Sequence, residues 1–169
     1  RQLCNNNDIV LLQEHWLLPC DLHILGQVHN DFLYYGTSAV DITIDILVGR
    51  PYGGTAILYR RYLSHLIKPI KCDDTRMTAI VMQTVLGPLL LINVYMPTDY
   101  KDEDSLELYV ETCSKTTALA VDCDAAHVIV AGDFNCSVGS RFYALFDNLA
   151  TTNSLVFSDL NRLDNVFTY

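Results

Sequence analysis

Residues 127–135 read His-Val-Ile-Val-Ala-Gly-Asp-Phe-Asn, an apolar run of strand length that ends in a glycine, a carboxylate and a carboxamide. Side chains alternate along a strand, so Asp133 and Asn135 project to the same side if strand geometry continues through Gly132. Either group buried without a partner would cost roughly 1–3 kcal/mol. The tip of this strand is therefore expected to face water or a ligand.

Two other apolar runs also end in polar side chains. Residues 8–14 deliver Glu14, and residues 89–97 deliver Tyr95 shortly before a proline that must stop or divert the strand. Together with the 133–135 tip, these groups are predicted to converge at one edge of the fold. Carboxylates, an amide and a hydroxyl gathered at strand ends are typical of a hydrolytic or phosphoryl-transfer site.

The apolar runs also indicate the architecture. Strands are predicted at 8–14, 32–40, 53–60, 78–86, 89–97 and 127–133. Most lack the alternation of a half-solvated sheet, so both of their faces must be covered. Gly87-Pro88 predicts a tight turn and hence an antiparallel hairpin over 78–97. Strands that outnumber helices and pair locally predict an α/β or α+β sandwich with mixed, largely antiparallel sheets.

Three helices are predicted to form the outer layers. The longest begins at a capping-box pair, Asp104 and Glu107, and its apolar face is formed by Leu106, Tyr109, Val110, Cys113, Ala120 and Val121. A shorter helix after the 127–135 run has its apolar face at Phe142, Leu145, Phe146 and Leu149. A third carries Leu18, Leu22 and Leu25 and is closed by Gly26.

Composition is that of one globular domain. The chain has 169 residues, of which 50% are hydrophobic and 18% charged, which excludes disorder. The formal charge of −9 weighs against a nucleic-acid enzyme, because phosphate contacts come from Lys and Arg. A metal site rich in carboxylates accounts for part of that charge.

The basic residues form one cluster with two interpretations. Its members flank the glycine pair at 53–54 and are Arg50, Arg60, Arg61, Lys68 and Lys71. They would track a nucleic-acid backbone, with Tyr52 or Tyr59 stacking on a base. Equally, they would keep a solvated strand edge from aggregating.

Cysteine usage and hydropathy predict the compartment. The six cysteines show neither Cys-x-x-Cys nor zinc spacing, and several lie on apolar faces, so these are interpreted as small core residues. A reducing setting, the nucleus or cytoplasm, is predicted. The longest apolar candidate, 78–97, is interrupted by polar and turn residues, which predicts no membrane span. No secretion signal is visible, and we expect a protein that is not secreted.

Four motifs, in this order, resemble the endonuclease/exonuclease/phosphatase superfamily. They are Gln13-Glu14, Gly53-Gly54-Thr55-Ala56-Ile57-Leu58-Tyr59, Asn93-Val94-Tyr95-Met96-Pro97 and Gly132-Asp133-Phe134-Asn135. Residues 12–17 and 49–54 look most like the endonuclease domains of LINE-type non-LTR retrotransposons. The resemblance covers nearly the whole chain and implies the four-layer deoxyribonuclease-I-like sandwich of two sheets flanked by helices.

The resemblance also implies roles for the residues at the strand ends. Glu14 would hold Mg²⁺, with Mn²⁺ as the alternative, since Mg²⁺ usually takes one or two protein carboxylates and water. Asp133 would orient or deprotonate the attacking water. Asn135 would donate its amide to a phosphate oxygen or to the partner of the base, and Tyr95 would contact the phosphate or the leaving oxygen.

Substrate-binding residues are implied as well. Thr98 stands where the family's endonucleases commonly carry Asn, so it keeps a hydroxyl but lacks the forked amide. Thr168 resembles the threonine near the family's substrate groove. Arg50, from the basic cluster, is assigned to the same role.

The resemblance implies one domain over 1–169 that lacks two parts of the family. These are the first strand, with its metal-associated Asn, and the C-terminal Ser-Asp-His segment. The activity expected is a Mg²⁺-dependent phosphodiester hydrolase of the retrotransposon DNA endonuclease type, impaired and poorly soluble as this segment. DNA is the expected partner, with no obligate protein partner and a reverse-transcriptase domain on the same parent chain.

Two alternatives remain open at the level of sequence. One keeps the fold and the metal but changes the substrate to a phosphorylated lipid, inositol or nucleotide, which the acidic charge favours. The other is an inactive fragment that serves only as a structural or binding remnant. Fold alone does not separate these functions, because one scaffold serves many substrates.

Overall fold

Two β-sheets packed face to face form the centre of the molecule. The computed structural model describes residues 2–42, 50–137, 139–145, 156–158 and 165–168. Across these residues, none of the helices has the length and apolar character needed to cross a membrane.

The smaller sheet has three antiparallel strands in the order β1-β3-β2. Its strands are β1 (Ile9–Gln13), β2 (Phe32–Thr37) and β3 (Thr55–Arg60). A short helix, α1 (Gln2–Asn6), precedes β1, and a 3₁₀ segment (Pro19–Gln27) connects β1 to β2. The antiparallel register brings Gln13 opposite Thr55, so the end of β1 lies beside the glycine pair at 53–54.

The larger sheet has six strands in the order β4-β5-β6-β7-β9-β8. They are β4 (Ile67–Ile70), β5 (Met77–Thr84), β6 (Gly87–Tyr95), β7 (His127–Asp133), β8 (Val156–Ser158) and β9 (Asn165–Thr168). A second 3₁₀ segment, Arg61–Leu66, precedes β4. Strands β6 and β7 run parallel, and helix α2 (Glu103–Asp122) makes the crossover between them that a parallel pair requires. The other neighbours in this sheet are antiparallel.

Three clusters of buried side chains separate four layers. Between the sheets lie Ile57, Tyr59, Ile80 and Leu91. The outer face of the small sheet packs on the 3₁₀ segment through Leu25 and Phe32, and α2 covers the outer face of the large sheet. This arrangement confirms the α+β sandwich of mixed, mostly antiparallel sheets flanked by helices.

The hairpin and its turn differ in detail from the sequence prediction. Strands β5 and β6 pair antiparallel as expected, but the turn is formed by residues 85–86, and Gly87 and Pro88 already belong to β6. The Thr84 hydroxyl donates to the Gly87 carbonyl at 2.7 Å and accepts from the Leu86 N–H at 3.1 Å. These bonds close the turn two residues earlier than the Gly-Pro pair suggested.

Helix α2 begins and packs differently from the prediction. Its cap is Asp102 and not Asp104, because the Asp102 carboxylate accepts from the Ser105 N–H at 2.8 Å. The buried stripe has helical spacing but includes polar residues, at Ser105, Tyr109, Thr112, Cys113 and Thr116. Two of its threonine hydroxyls donate to carbonyls four residues earlier, which satisfies them inside the core. Val110 and Val121, assigned to the apolar face, are exposed.

The two shorter helices also depart from expectation. Residues 19–27 are 3₁₀ and not α-helical, and the segment continues through Gly26 to Gln27. After β7, residues 141–145 are helical (α3), with Phe142 fully buried against the ring of Tyr109. Phe146 and Leu149 lie outside the described residues.

Candidate active site

Glu14 follows β1 in a turn with left-handed backbone conformations. Its φ is 53°, and Trp16 has φ 57°, values that non-glycine residues adopt at a cost of order 1–3 kcal/mol each. The Trp16 N–H donates to the Gly53 carbonyl at 3.0 Å, which fastens this turn to the loop that enters β3. The turn thus holds the Glu14 carboxylate at the protein surface beside the end of β1.

The side chain of His15 holds this turn through hydrogen bonds to two backbone groups. Its Nδ1 accepts from the Leu17 N–H at 3.1 Å, and its Nε2 lies 3.0 Å from the Thr37 carbonyl, to which it donates. Burial lowers the pKa of His15, although nearby backbone carbonyls partly offset that effect. A Cβ at residue 54 would collide with the His15 ring, and Gly54 has φ 86°, so this position requires glycine. These contacts give His15 a structural role in the loop.

The Tyr95 side chain brings the two sheets together at the site. Its hydroxyl donates to Glu14 Oε1 at 2.8 Å, across 81 residues of sequence. Burial, the hydrogen bond to Glu14 and the negative charges of Glu14 and Asp133 raise the pKa of Tyr95 to about 12, against a smaller lowering by Arg76. The hydroxyl therefore remains a hydrogen-bond donor at any physiological pH.

A buried amide sets the register that makes this pair possible. Asn93 lies two residues before Tyr95 and is fully buried. Its Nδ2 donates to the carbonyls of Leu12 and Ala56, each at 3.0 Å, and its Oδ1 accepts from Gln13 Nε2. Because these bonds cross from the large sheet to β1 and β3, they align the ends of β1 and β6.

Asp133 lies beside Tyr95 because β6 and β7 are parallel and in register, with the two residues paired. The Met96 N–H donates to the Asp133 carbonyl at 2.8 Å. Gly132 has φ 145°, and a Cβ there would overlap the Val94 carbonyl, so only glycine allows β6 and β7 to approach this closely.

Asn135 lies in a tight turn just after the strand. Asp133 Oδ1 accepts from the Asn135 N–H at 3.0 Å, an Asx-type turn in which Asn135 has φ 46°. The Asn135 Nδ2 donates to the Met96 carbonyl at 2.7 Å. One amide hydrogen of Asn135 thus ties the end of β7 to the end of β6, and its expected contact with phosphate stays a prediction.

An open cleft of about 750 Å³ adjoins the Glu14–Tyr95 pair. Its walls are the glycine pair at 53–54, the loop before β5 and the segment between β6 and α2, including Pro97, Thr98 and Tyr100. Three further carboxylates line it, from Asp74, Asp102 and Asp104. The cleft is therefore predominantly acidic.

Arg76 is the cationic side chain in this lining, and sequence reasoning missed it. Its guanidinium lies 5.7 Å from the centre of the Tyr95 ring, and its carbonyl accepts from the Tyr95 N–H at 2.8 Å. Asp74 Oδ1 accepts from the Arg76 N–H at 2.8 Å, while Lys115 pairs with the other oxygen of that carboxylate at 3.0 Å. No acidic side chain forms an ion pair with the Arg76 guanidinium in the part of the chain that the structure describes.

The implied substrate residues are placed differently from one another. Thr98 is exposed and lines the cleft. Arg50 is exposed but does not belong to the lining. The backbone of Thr168 pairs with Ile129, four residues before Asp133 along β7. Thr98 is thus the one of these three that the structure places at the cleft, and the binding roles remain predictions.

Two other groups of residues have structural explanations. Arg60, from the basic cluster, pairs with Asp8 at 3.5 Å and Asp31 at 3.7 Å and lies over the Phe32 ring, so it joins strand ends far from Glu14. All six cysteines are free; Cys4 and Cys113 are buried in the core, whereas Cys20 is exposed, unlike the thiols predicted for the core. Burial raises the pKa of the Cys136 thiol, which disfavours its thiolate form.

The donor set fits a hard cation held by few protein ligands. Within the described ranges, no three His, Cys, Asp or Glu side chains surround a common point. Glu14, however, presents an exposed carboxylate whose geometry is set by Tyr95, and Asp133 is close enough to raise the pKa of the same hydroxyl. Mg²⁺ commonly binds through one or two carboxylates and completes its shell with water and substrate oxygens.

Comparisons with known proteins give the family and the fold. The model of the endonuclease/exonuclease/phosphatase family matches residues 1–169. A 3′ phosphatase from Neisseria, NExo, solved with a product DNA hairpin, superposes with a TM-score of 0.67 at 15% identity, over 99% of this chain and 79% of that one. No curated protein sequence matches.

Two further solved structures have different activities on the same fold. A mannosyl-6-phosphatase from Bacteroides thetaiotaomicron gives a TM-score of 0.62 at 15% identity, covering 98% of this chain and 72% of that one. An AP endonuclease from Archaeoglobus fulgidus gives 0.57 at 14% identity, covering 99% and 78%. The family model spans the chain and the two-sheet fold agrees with it: the chain belongs to the endonuclease/exonuclease/phosphatase family of hydrolases.

Proposed function

We propose that this chain is a Mg²⁺-dependent phosphodiester hydrolase that acts on DNA, of the type found in LINE-type retrotransposons. The observation that carries the proposal is the Tyr95–Glu14 hydrogen bond at the mouth of an open cleft, with Asp133 paired to Tyr95 in the sheet. A carboxylate, a protonated hydroxyl and a second carboxylate on neighbouring strand ends are what metal-assisted hydrolysis requires.

Each residue then has a defined task. Glu14 would hold Mg²⁺, and the ion would supply positive charge to the non-bridging phosphate oxygens. Asp133 orients a water for in-line attack and takes its proton as the new P–O bond forms. The ester P–O bond breaks, and the leaving oxygen takes a proton from solvent water. The Tyr95 hydroxyl, kept protonated by its raised pKa, donates to the charge that develops on the phosphate.

Arg76 supplies the binding charge that an acidic cleft otherwise lacks. Both backbone groups of Arg76 are hydrogen-bonded, and its guanidinium lies 5.7 Å from the centre of the Tyr95 ring. A planar guanidinium donates in parallel to two phosphate oxygens, so it offers an anion site next to the reacting groups.

A second candidate function uses the same chemistry on a smaller substrate. The carboxylates of Asp74, Asp102 and Asp104 in the lining repel an extended polyanion more than a single phosphate group. This favours a phosphorylated lipid, inositol or nucleotide. The retrotransposon resemblance favours DNA, a nuclear or cytoplasmic location and a reverse-transcriptase domain on the same parent chain.

The test is nicking of supercoiled plasmid by the folded chain with Mg²⁺, with Mn²⁺ and with chelator. We expect Mg²⁺-dependent nicking that is abolished by Glu14→Ala and by Asp133→Ala. Asp8→Ala is the matched control, because it removes a carboxylate from the opposite end of the same strand as Glu14. Phosphate release from inositol phosphates or nucleotides without nicking would support the second candidate, and a folded chain inactive on all of these would be an inactive remnant.

A further inference from the structure

The side chain of Arg141 connects two loops that the active site depends on. From α3, its Nε donates to Asp99 Oδ1 at 3.0 Å and its Nη2 lies 2.7 Å from the same oxygen. The Nη2 also donates to the Asp102 carbonyl at 2.6 Å and to Ser105 Oγ at 2.9 Å. One guanidinium thus binds the segment 97–102, which follows β6, and the first turn of α2.

The ion pair between Arg141 and Asp99 is largely shielded from solvent. The Asp99 side chain is only 11% exposed and that of Arg141 31%. Lys101 bonds the other Asp99 oxygen at 2.6 Å. The Lys101 ammonium, with the Arg141 guanidinium, lowers the pKa of Asp99 to about 2, so the carboxylate is ionised in all ordinary buffers. The bonds from Arg141 therefore persist over the whole working range of pH.

The segment that Arg141 holds is one wall of the cleft. Pro97, Thr98 and Tyr100 lie in the lining, and the Tyr100 ring is 75% exposed to whatever binds there. Asn135 secures the near end of this segment through the Met96 carbonyl, and the Asp102 cap secures its far end. Between those points, Arg141 provides the cross-link to the chain that follows Asp133.

We propose that Arg141 is a positioning residue that sets substrate affinity by holding the 97–102 wall in place. It does not line the cleft and does not touch the reacting atoms. The inference rests on the proposed function, since it assumes that a nucleic acid extends from the Glu14–Tyr95 pair along this wall. Through Arg141, the chain that follows β7 and Asp133 is fastened to the segment that follows Tyr95.

The experiment measures two substrates on the full chain. An oligonucleotide reaches the wall, whereas bis(p-nitrophenyl) phosphate occupies little beyond the reacting groups. Arg141→Ala is expected to raise KM for the oligonucleotide about tenfold, a change of roughly 1.4 kcal/mol, and to leave kcat for the small diester within about twofold. Arg141→Lys keeps the charge but not the fork, so it is expected to fall between.

Matched variants separate positioning from folding. Asp99→Asn should reproduce the KM effect, and Asp8→Asn, which removes a remote surface ion pair, should not. Equal losses of kcat on both substrates in variants with unchanged thermal melts would overturn the proposal, as would unchanged KM for Arg141→Ala and Arg141→Lys.

Binding without catalysis distinguishes this inference from the proposed function. Anisotropy of a labelled oligonucleotide in chelator gives Kd whether or not the chain cleaves. One outcome is that the wild-type chain binds the oligonucleotide without cleaving it and that Arg141→Ala weakens this binding about tenfold. That result would support the role of the 97–102 wall and refute the hydrolase. If the wild-type chain cleaves and the Arg141 variants keep its Kd and KM, only the proposed role of the 97–102 wall is refuted. A wild-type chain that neither binds nor cleaves would overturn both proposals.

Discussion

Replacing Tyr95 by phenylalanine removes one hydroxyl and leaves its ring in place. In the wild-type protein that hydroxyl donates to Glu14 Oε1 at 2.8 Å, and the ring keeps its contact with the Arg76 guanidinium in either form. The substitution therefore isolates the donor at the mouth of the cleft.

The expected loss of activity is much larger than the loss of stability. Removing a donor to the charge of a transition state lowers kcat by about 10²–10³. Removing an intramolecular hydrogen bond whose acceptor stays hydrated lowers the free energy of unfolding by only about 1 kcal/mol. Glu14 is exposed, so water replaces the missing hydroxyl in the folded protein. Activity and stability should thus separate clearly in this variant.

The pH dependence follows from the raised pKa of Tyr95. A pKa of about 12, against the usual 10, means that the folded protein holds this proton more tightly than the unfolded chain does. The associated stability is complete below pH 10 and is lost as pH rises through about 12. Wild-type activity should accordingly show no decrease from Tyr95 ionisation below about pH 11.

The assay is steady-state nicking with Mg²⁺, together with urea denaturation of the same samples. Tyr62→Phe is the control, because its hydroxyl also bonds a carboxylate, that of Asp8, far from the cleft. A Tyr95→Phe enzyme with kcat within about threefold of wild type would refute the role of this hydroxyl in the reaction.

Four other perturbations have defined outcomes. Gly132→Ala should give no cooperatively folded protein by circular dichroism, because its Cβ would overlap the Val94 carbonyl; a normal melt would contradict this close approach. Asn93→Leu should lower the free energy of unfolding in urea by about 3 kcal/mol, since the buried Ala56 carbonyl and the partly buried Leu12 carbonyl lose their donor, and a loss under about 1 kcal/mol would refute the cross-sheet role. Asp99→Asn should remove the acid sensitivity of the thermal melt that comes from this group: its lowered pKa, about 2, adds stability above pH 4 that is lost as pH falls toward 2, so identical slopes would count against the ion pair. Glu14→Gln should raise the Mg²⁺ concentration for half-maximal nicking about tenfold or more, and an unchanged value would remove Glu14 from the metal site.

The parts of the fold that the sequence predicts correctly are those that depend on neighbouring residues. The apolar runs form strands close to their predicted limits, because burial on both faces is visible as continuous apolarity. The prediction was wrong where local signals compete. The hairpin turn lies two residues before Gly87-Pro88, and the buried stripe of α2 includes threonines whose hydroxyls bond within the helix. Apolar patterning does not reveal a polar group that finds its own partner.

The sequence by itself determined that carboxylates and a tyrosine stand at strand ends, because strand length and polarity depend on neighbouring residues. Only the tertiary structure decided that these ends meet. The parallel register of β6 and β7 and the amide of Asn93, which bonds across about 80 positions of sequence, place Tyr95 beside Glu14 and Asp133. Arg76 and Arg141 also gain their places from contacts with distant segments: the Arg76 carbonyl accepts from the Tyr95 N–H, and the Arg141 guanidinium donates to Asp99. No local pattern encodes such partners, since the free energy that selects them comes from packing the whole chain.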